Sequence, residues 1–408
     1  MIDRRAQRCD NGRMWSRRTL IATGATGLAA MPLLASSARL IDLGLPGGPG
    51  QRPLAASFAG KRDMIVQRVR PPLLETPMSV FDEGTITPNN RFFVRWAGGA
   101  MPKSIDPAAF RLTLRGVVRT PVQLTLAEVA AAGEAVEVTA INQCAGNSRG
   151  FSQPRVTGAQ WGHGAMGNAV WRGVRLKDLL DRAGVGGDAK RVRFAGLDTP
   201  LVAGSPQTIK SLPIDIARRD DVIVAWGMNG EMLPLLNGYP LRLVVPGWFA
   251  TYWIKMLSDI EVLSSDEDDS YFMAKSYRMP AVPVQPGDKD FPTVPITTMP
   301  PRSFITSHAD GAKVAAGAPL ALRGIAMGGD CGVARVDVLA GGRSYPAQLG
   351  PDEGEHGFRR WSVTLPAATG PVGPRCANAN GETQPLKPSW NPSGYARHCV
   401  EYINLATA

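Results

Sequence analysis

The stretch VEVTAIN (136–142) alternates apolar and polar positions, the period-two pattern of a strand with one buried face. It runs directly into Cys144. Ahead of it, TLAE (125–128) carries Thr125 and Glu128 at capping-box spacing, which predicts a short helix starting there. In LKDLLDRAG (176–184), Leu176, Leu179, Leu180 and Ala183 share one helical face, and Gly184 is the expected stop. YPLRLVVPGW (239–248) is a β-rich apolar run closed by Pro-Gly, whereas residues 39–85 read as an irregular, Pro- and Gly-rich entry. SSDEDDS (264–270) and the proline-rich MPAVPVQPGDKDFPTVP (279–295) predict a linker. Beyond it PLALRGIA, VARVDVLAGGRSYPAQL and RRWSVTLP are short alternating segments, with Gly341–Gly342 as a hairpin turn. Repeated short strands at this spacing predict an antiparallel sandwich of about 110–120 residues. The expected fold class is α+β: a mixed α/β domain over 60–278, a linker over 279–296 and an immunoglobulin-like β-sandwich over 297–408.

The amino-terminal arginines and SRRTLIATGATGLAAMPLLASSA, with Arg17 and Arg18 before a modest apolar run, predict a twin-arginine export signal over 1–38. That address implies a protein folded in the cytoplasm, often around a cofactor, and delivered to the periplasm. The run is too short and glycine-rich for a membrane helix, and no other segment approaches ~18 apolar residues, so no membrane span is expected after its removal. The formal charge is +10; the leader's six arginines and two aspartates leave about +6 on the remaining 370 or so residues. Such a balance suits an anionic small substrate or an acidic protein partner. There is no long Lys/Arg run and no nucleic-acid motif, so nucleic acid is not an expected partner. Without C-x-x-C-H, no haem is expected in this chain.

Of the four cysteines beyond the leader (Cys144, Cys331, Cys376 and Cys399), whose spacings outline no disulfide framework, Cys144 has the most unusual setting. INQCAGNSRG (141–150) surrounds it with Asn142, Gly146, Asn147 and Arg149, without a second cysteine nearby or a histidine within ten residues. Three chemistries suit such a thiol. It can be structural. It can be a nucleophile, which needs a base, and His163, His308, His356 and His398 are not obviously placed for that. It can ligate a soft metal whose other ligands come from a cofactor. Zinc and iron–sulfur sites want several cysteines and are disfavoured.

CAGNSR after a strand, then GNAVWRGVRLKDLLDRAGV, MNGEMLPLLNGYPLRLVVPGW and ANGETQPLKPSWNPSGY, in that order, resemble the sulfite oxidase family of molybdenum enzymes, in particular the haem-free bacterial sulfite dehydrogenases. The resemblance implies a molybdenum–molybdopterin cofactor in which Cys144 is the only protein ligand of the metal and the pterin dithiolene adds two sulfurs. It places pterin-binding elements at FFVRWAGG (92–99), with Phe93, Arg95 and Trp96, and at Asp198, Asn237, Arg242 and WIK (253–255), with Trp253 and Lys255. Arg242 and Lys255 suit a phosphate as charged donors. Arg95 matches the family's active-site arginine, Arg149 lies where a second pocket cation is expected, and Tyr277 matches the active-site tyrosine, followed by Arg278. The implied reaction is oxidation of sulfite, or a related oxyanion, to sulfate, with electrons leaving one at a time to a c-type cytochrome. The carboxy-terminal domain resembles the family's dimerisation domain, implying a homodimer or a heterodimer with a cytochrome subunit.

Two positions depart from the better-known members: Ala97 stands where many carry histidine, and Ser393 where animal enzymes have another pocket arginine. Both bear on sulfite as substrate more than on molybdenum. The alternatives are an oxygen-atom-transfer reductase of the same fold, acting for example on methionine sulfoxide, and a non-enzymatic exported binding protein with a structural Cys144.

Overall fold

A computed structural model describes residues 39–408 apart from 56, 57, 59, 97, 98, 201, 368 and 369. The export signal expected over 1–38 and the departure at Ala97 lie outside the described residues.

The chain is richer in strand than the expected α+β mixture. Its helices are short, the longest described one being Leu176–Ala183. That helix buries Leu176, Leu179, Leu180 and Ala183 and is closed by Gly184, as the periodicity predicts. Leu126–Ala130 is likewise opened by the capping box: Thr125 Oγ1 accepts from the Glu128 amide while Glu128 accepts from the Thr125 amide.

Three five-stranded sheets build the first part. In one, Met166–Arg175 lies between Ala135–Gln143 and Ile223–Met228, and Arg242–Val244 pairs with Ile223–Met228. In the second, Leu257–Leu263 runs parallel to Leu112–Gly116 and antiparallel to Arg191–Gly196. Their apolar faces meet in a core containing Trp171, Leu179, Phe194, Val224 and Ile260, all fully buried. The third sheet runs from Arg39–Asp42 to Val94–Arg95 and occupies the stretch that reads as irregular. Prolines and glycines mark its turns, and the strands between them are held by buried Met64, Ile65, Val66 and Leu74.

Residues 279–296 are not a free linker. Arg278–Pro280 pairs antiparallel with Thr293–Pro295, and the Ile296 amide returns to the Tyr277 carbonyl at 3.0 Å. Short paired strands tolerate the prolines because few ladder bonds are needed. Ile296 and Met299 then join Phe81, Ile141, Phe249, Tyr277 and Phe304 in a core shared by both parts of the chain.

From Arg302 onward two sheets pack face to face. One holds Arg302–Ile305, Leu320–Met327, Arg359–Leu365 and Gln348–Leu349; the other runs from Lys313–Val314 through Ile403–Thr407, Gly370–Asn378 and Val333–Ala340 to Arg343–Pro346. Leu322 and Trp361 from the first meet Val336, Val338, Val372 and Cys376 from the second. Gly341 and Gly342 take φ of 54° and 73°, which makes the predicted hairpin turn possible. A buried ionic cluster ties this sandwich to the first part: Glu401 accepts from Arg302 at 2.8 Å and from Arg397 at 2.9 Å, and Arg302 also donates to Ser148 Oγ at 2.9 Å. Against the opposing effect of burial, His163, Arg397 and Arg302 hold the Glu401 carboxyl down to about 2.

Candidate active site

The strand Ala135–Gln143 ends at a buried turn carrying Cys144. The Cys144 amide donates to the Ala165 carbonyl (2.9 Å), and its carbonyl accepts from the Asn147 amide (2.9 Å). Asn147 pins the turn further, accepting from the Ala165 amide at 2.9 Å and donating to Gln143 at 3.2 Å. The sulfur accepts a weak contact from the Gly146 amide at 3.4 Å, stands within reach of the Arg95 guanidinium, and faces a cleft lined also by Phe93, Arg95, Asn142, Asn237, Arg242, Lys255 and Tyr277. His163, the histidine closest in sequence, bonds Ser148 through Nδ1 at 2.7 Å and stacks on Phe151; burial holds it down to about 4. A general base for a Cys144 nucleophile is therefore missing there.

Cations collect at one end of the cleft. Arg242, 1 % exposed, donates to the Asn237 carbonyl at 2.9 Å and lies 4.7 Å from the Trp171 ring and 5.5 Å from Trp253. Burial pushes its guanidinium down to about 9. Lys255 donates to the carbonyls of Arg95 (2.8 Å) and Leu236 (3.2 Å) and sits 4.6 Å from the Trp96 ring. Its ammonium is driven well below the usual lysine range, first by burial and then by Arg242, Arg95 and Lys61. Lys61 completes the group, donating to Asn89 O at 2.5 Å and Asn237 Oδ1 at 2.6 Å, with burial holding it at about 7. None of these three makes an ion pair with a carboxylate among the described residues. Arg242 Nε, Arg95 Nη1, Trp96 Nε1 and Asn142 Nδ2 are buried donors without an acceptor. Unpaired buried cations and idle donors around one cleft are unstable by themselves and fit a polyanionic, acceptor-rich ligand. A pterin bearing a phosphate, with Cys144 offering a soft sulfur to its metal, has that chemistry.

At the other end stand Arg95 and two phenols. Burial disfavours the Arg95 charge, but Tyr277, Cys144 and Tyr395 together raise it above its ordinary value. Tyr277 adopts φ 52°, a left-handed backbone that a bulky side chain rarely takes and that active sites often hold. Its ring stacks on Tyr395 (centroids 5.4 Å, 16°), and Lys210 Nζ lies 5.5 Å from its centroid.

Of the residues singled out from the sequence, Phe93, Arg95, Cys144, Asn237, Arg242, Lys255 and Tyr277 share the cleft. Trp96 and Trp253 stand behind it, the first against Lys255 and the second against Arg242, with Trp253 Nε1 bonded to the Trp248 carbonyl. Asp198 lies outside the cleft lining, where burial raises its carboxyl while Thr208 and Lys255 oppose the rise. Arg149 is placed differently from expectation: Nε donates to the Ser393 carbonyl (2.8 Å) and Nη1 to that of Ala159 (3.2 Å), away from the cleft lining. Arg278 adds no cation to the cleft lining, because it bonds Thr293 and the Met273 carbonyl. Sequence reasoning missed Asn142, Lys61, Lys210 and Tyr395. Asn142 is two residues from the cysteine and Tyr395 two from Ser393, so both were within quoted motifs, whereas nothing local marks Lys61 or Lys210.

Residues 98–272 match the oxidoreductase molybdopterin binding domain family. Sulfite oxidase of Gallus gallus is 33% identical over 373 residues, spanning 86% of this chain and 79% of the relative. Sulfite oxidase of Arabidopsis thaliana is 32% identical over 285 residues, 66% of this chain and 72% of the relative. Among solved structures, the sulfane dehydrogenase SoxCD from Paracoccus pantotrophus superposes with a TM-score of 0.67 at 26% identity, over 83% of this chain and 87% of that one. Fold, cleft and similarity together define a molybdopterin oxidoreductase that transfers oxygen atoms. The chain belongs to the sulfite oxidase family.

Proposed function

We propose that this protein oxidises sulfite to sulfate in the periplasm and passes the electrons singly to a c-type cytochrome. The observation that carries the reading is the cleft itself: Cys144 in its lining, Arg242 and Lys255 without a carboxylate partner at one end, with Lys61 behind Asn237, and Arg95 beside Tyr277 at the other. Bound molybdopterin supplies two-electron, oxygen-atom-transfer chemistry. The chain supplies the rest. Cys144 would hold the cofactor's metal. Arg242 and Lys255 would neutralise its phosphate, with the Lys61 charge behind Asn237 adding to the field. Arg95 presents a forked cation to an oxyanion, and the Tyr277 phenol donates to one of its oxygens. The sandwich is the expected dimerisation surface, for a second copy or for a cytochrome subunit. The export signal read in the first 38 residues supports the location.

One observation favours a second substrate. Ser393 leaves the cleft without a third arginine, and Tyr395 stands near that end. A less cationic pocket suits a sulfane sulfur better than free sulfite, and the Paracoccus relative is a sulfane dehydrogenase. The test is cytochrome c reduction by the molybdenum-loaded protein, supplied in parallel with sulfite and with a persulfide. Sulfite-dependent reduction at the higher kcat/KM supports the first reading; reduction with the persulfide alone replaces it with the second.

A further inference from the structure

Lys210, on the strand Ile209–Pro213, is 1 % exposed and makes no ion pair with a carboxylate among the described residues. Its Nζ donates to the Phe272 carbonyl at 2.7 Å and lies 4.5 Å from the Tyr252 ring centroid and 5.5 Å from that of Tyr277. The other charged groups that act on it come from different elements. Asp268 favours the ammonium but is already engaged by Arg193 at 2.8 Å and by the Ser270 amide at 2.9 Å, whereas Arg278 and Arg191 oppose it. Burial raises Tyr252, which therefore stays a neutral phenol. Burial also dominates at Lys210 and brings it to about 7. A methionine would fill this slot without the desolvation cost of an ammonium, so the charge calls for a use. Tyr277, which lines the cleft, supplies one. The backbone around it is pinned by Arg278 on the Met273 carbonyl (3.2 Å), by the Ile296 amide on the Tyr277 carbonyl (3.0 Å) and by Lys210 on the Phe272 carbonyl. Its ring meets the Tyr395 and Phe272 rings, with centroids 5.4 and 6.0 Å away, and the Lys210 cation.

We propose that Lys210 is a positioning residue for Tyr277: its ammonium ties the ring to the Phe272 carbonyl and fixes where the phenol stands in the cleft, and the neutral amine lets the ring shift. A desolvated cation over an aromatic face biases the ring's placement by about tenfold or more. The neutral amine still donates to the carbonyl but loses its attraction for the ring. With a titration at about 7, roughly nine-tenths of Lys210 is charged at about pH 6 and roughly one-thirtieth at about pH 8.5. The hold on Tyr277 is therefore present on the acid side and is lost as pH rises through neutrality. The inference rests on the proposed function in taking Tyr277 as a donor to substrate and sulfite as the probe; the placement of the ring does not need it.

The test compares wild type, Lys210→Met, Tyr277→Phe and the Lys210→Met/Tyr277→Phe double variant as molybdenum-loaded full-length protein. Nuclear magnetic resonance of isotope-labelled tyrosine rings is followed from about pH 6 to about pH 8.5, with Tyr277 assigned by its loss in Tyr277→Phe. In wild type the Tyr277 resonance should move with a midpoint at about 7, and in Lys210→Met that midpoint should vanish. Sulfite oxidation normalised to molybdenum is the second readout, taken as the ratio of wild-type to Lys210→Met kcat/KM so that the protonation of sulfite itself cancels. The ratio should be about tenfold at about pH 6 and fall within about twofold at about pH 8.5, where wild type has lost the charge as well. In the Tyr277→Phe background Lys210→Met should cost less than about twofold at either pH, because residues acting as one unit are not additive. A Tyr277 resonance without that midpoint in wild type, or with it still present in Lys210→Met, overturns the inference. A ratio that does not change with pH makes Lys210 a packing residue, and a cost as large in the Tyr277→Phe background shows that it acts elsewhere; either overturns the inference. The resonance needs no turnover, so a protein inactive on sulfite refutes the proposed reaction and still leaves the hold of Lys210 on Tyr277 decided.

Discussion

Raising the pH should stabilise the cofactor-free protein more than the loaded one. The perturbation acts on buried lysines. Lys61, 2 % exposed, is held at about 7 by burial, against 10.5 for an unburied lysine. Between those values the unfolded chain binds the extra proton, so stability rises as pH rises. From pH 7 to about 8.5, Lys61 alone contributes roughly 2 kcal/mol. Lys255 shifts in the same direction, and so does Arg242, which burial pushes down to about 9. A bound phosphate offers these groups an anion, restores their charge and removes their part of the slope. Lys210, also held at about 7 by burial, faces Tyr252, Tyr277 and the Phe272 carbonyl instead and contributes equally to both forms. The thiols Cys376 and Cys399, pushed up to about 12 mainly by burial, oppose the trend only as free thiols begin to ionise, again in both forms. Urea unfolding at pH 7 and about 8.5 should therefore show a gain of at least roughly 4 kcal/mol without cofactor and about half of that with it. Equal slopes in the two forms, or a cofactor-free slope that is flat or falling, would refute the assignment of this cation cluster to an anionic ligand.

Two further outcomes follow from the same geometry. Arg95→Gln removes the forked cation between Cys144 and the phenols; sulfite KM should rise by about 30-fold or more with molybdenum content unchanged, read by steady-state kinetics beside metal analysis. Glu401→Gln leaves Arg302 and Arg397 buried without their carboxylate and should cost about 3–5 kcal/mol in urea unfolding at neutral pH. Because Glu401 is held at about 2 against an ordinary 4.5, the wild type should lose that advantage as pH falls through this range, and the variant should not.

What could be read in the sequence was what depends on neighbours along the chain. The capping box at Thr125 and Glu128, the apolar face from Leu176 to Ala183 and the Gly341–Gly342 turn are local, and each takes the expected form. Alternation in 136–142 similarly marked the strand that delivers Cys144. The entry sheet was hidden because its strands are only two to five residues long and its turns dominate the composition. Distance along the chain hid the rest. Lys61 and Asn237 are 176 residues apart and meet at 2.6 Å, and Arg149 is 244 residues from the carbonyl that accepts its Nε hydrogen bond. A spacing argument counts Arg149 as near Cys144, but it does not show that its Nε bonds the Ser393 carbonyl in the other part of the chain.

The central claim is that Cys144 holds molybdenum in this cleft. X-ray absorption at the molybdenum edge counts sulfur neighbours directly, in the purified wild type and in Cys144→Ser. The wild type should bind about one molybdenum per chain with three sulfur neighbours, and Cys144→Ser should retain the metal with two. Three sulfur neighbours in both proteins, or a wild type purified from a cofactor-producing host without molybdenum, would contradict the account.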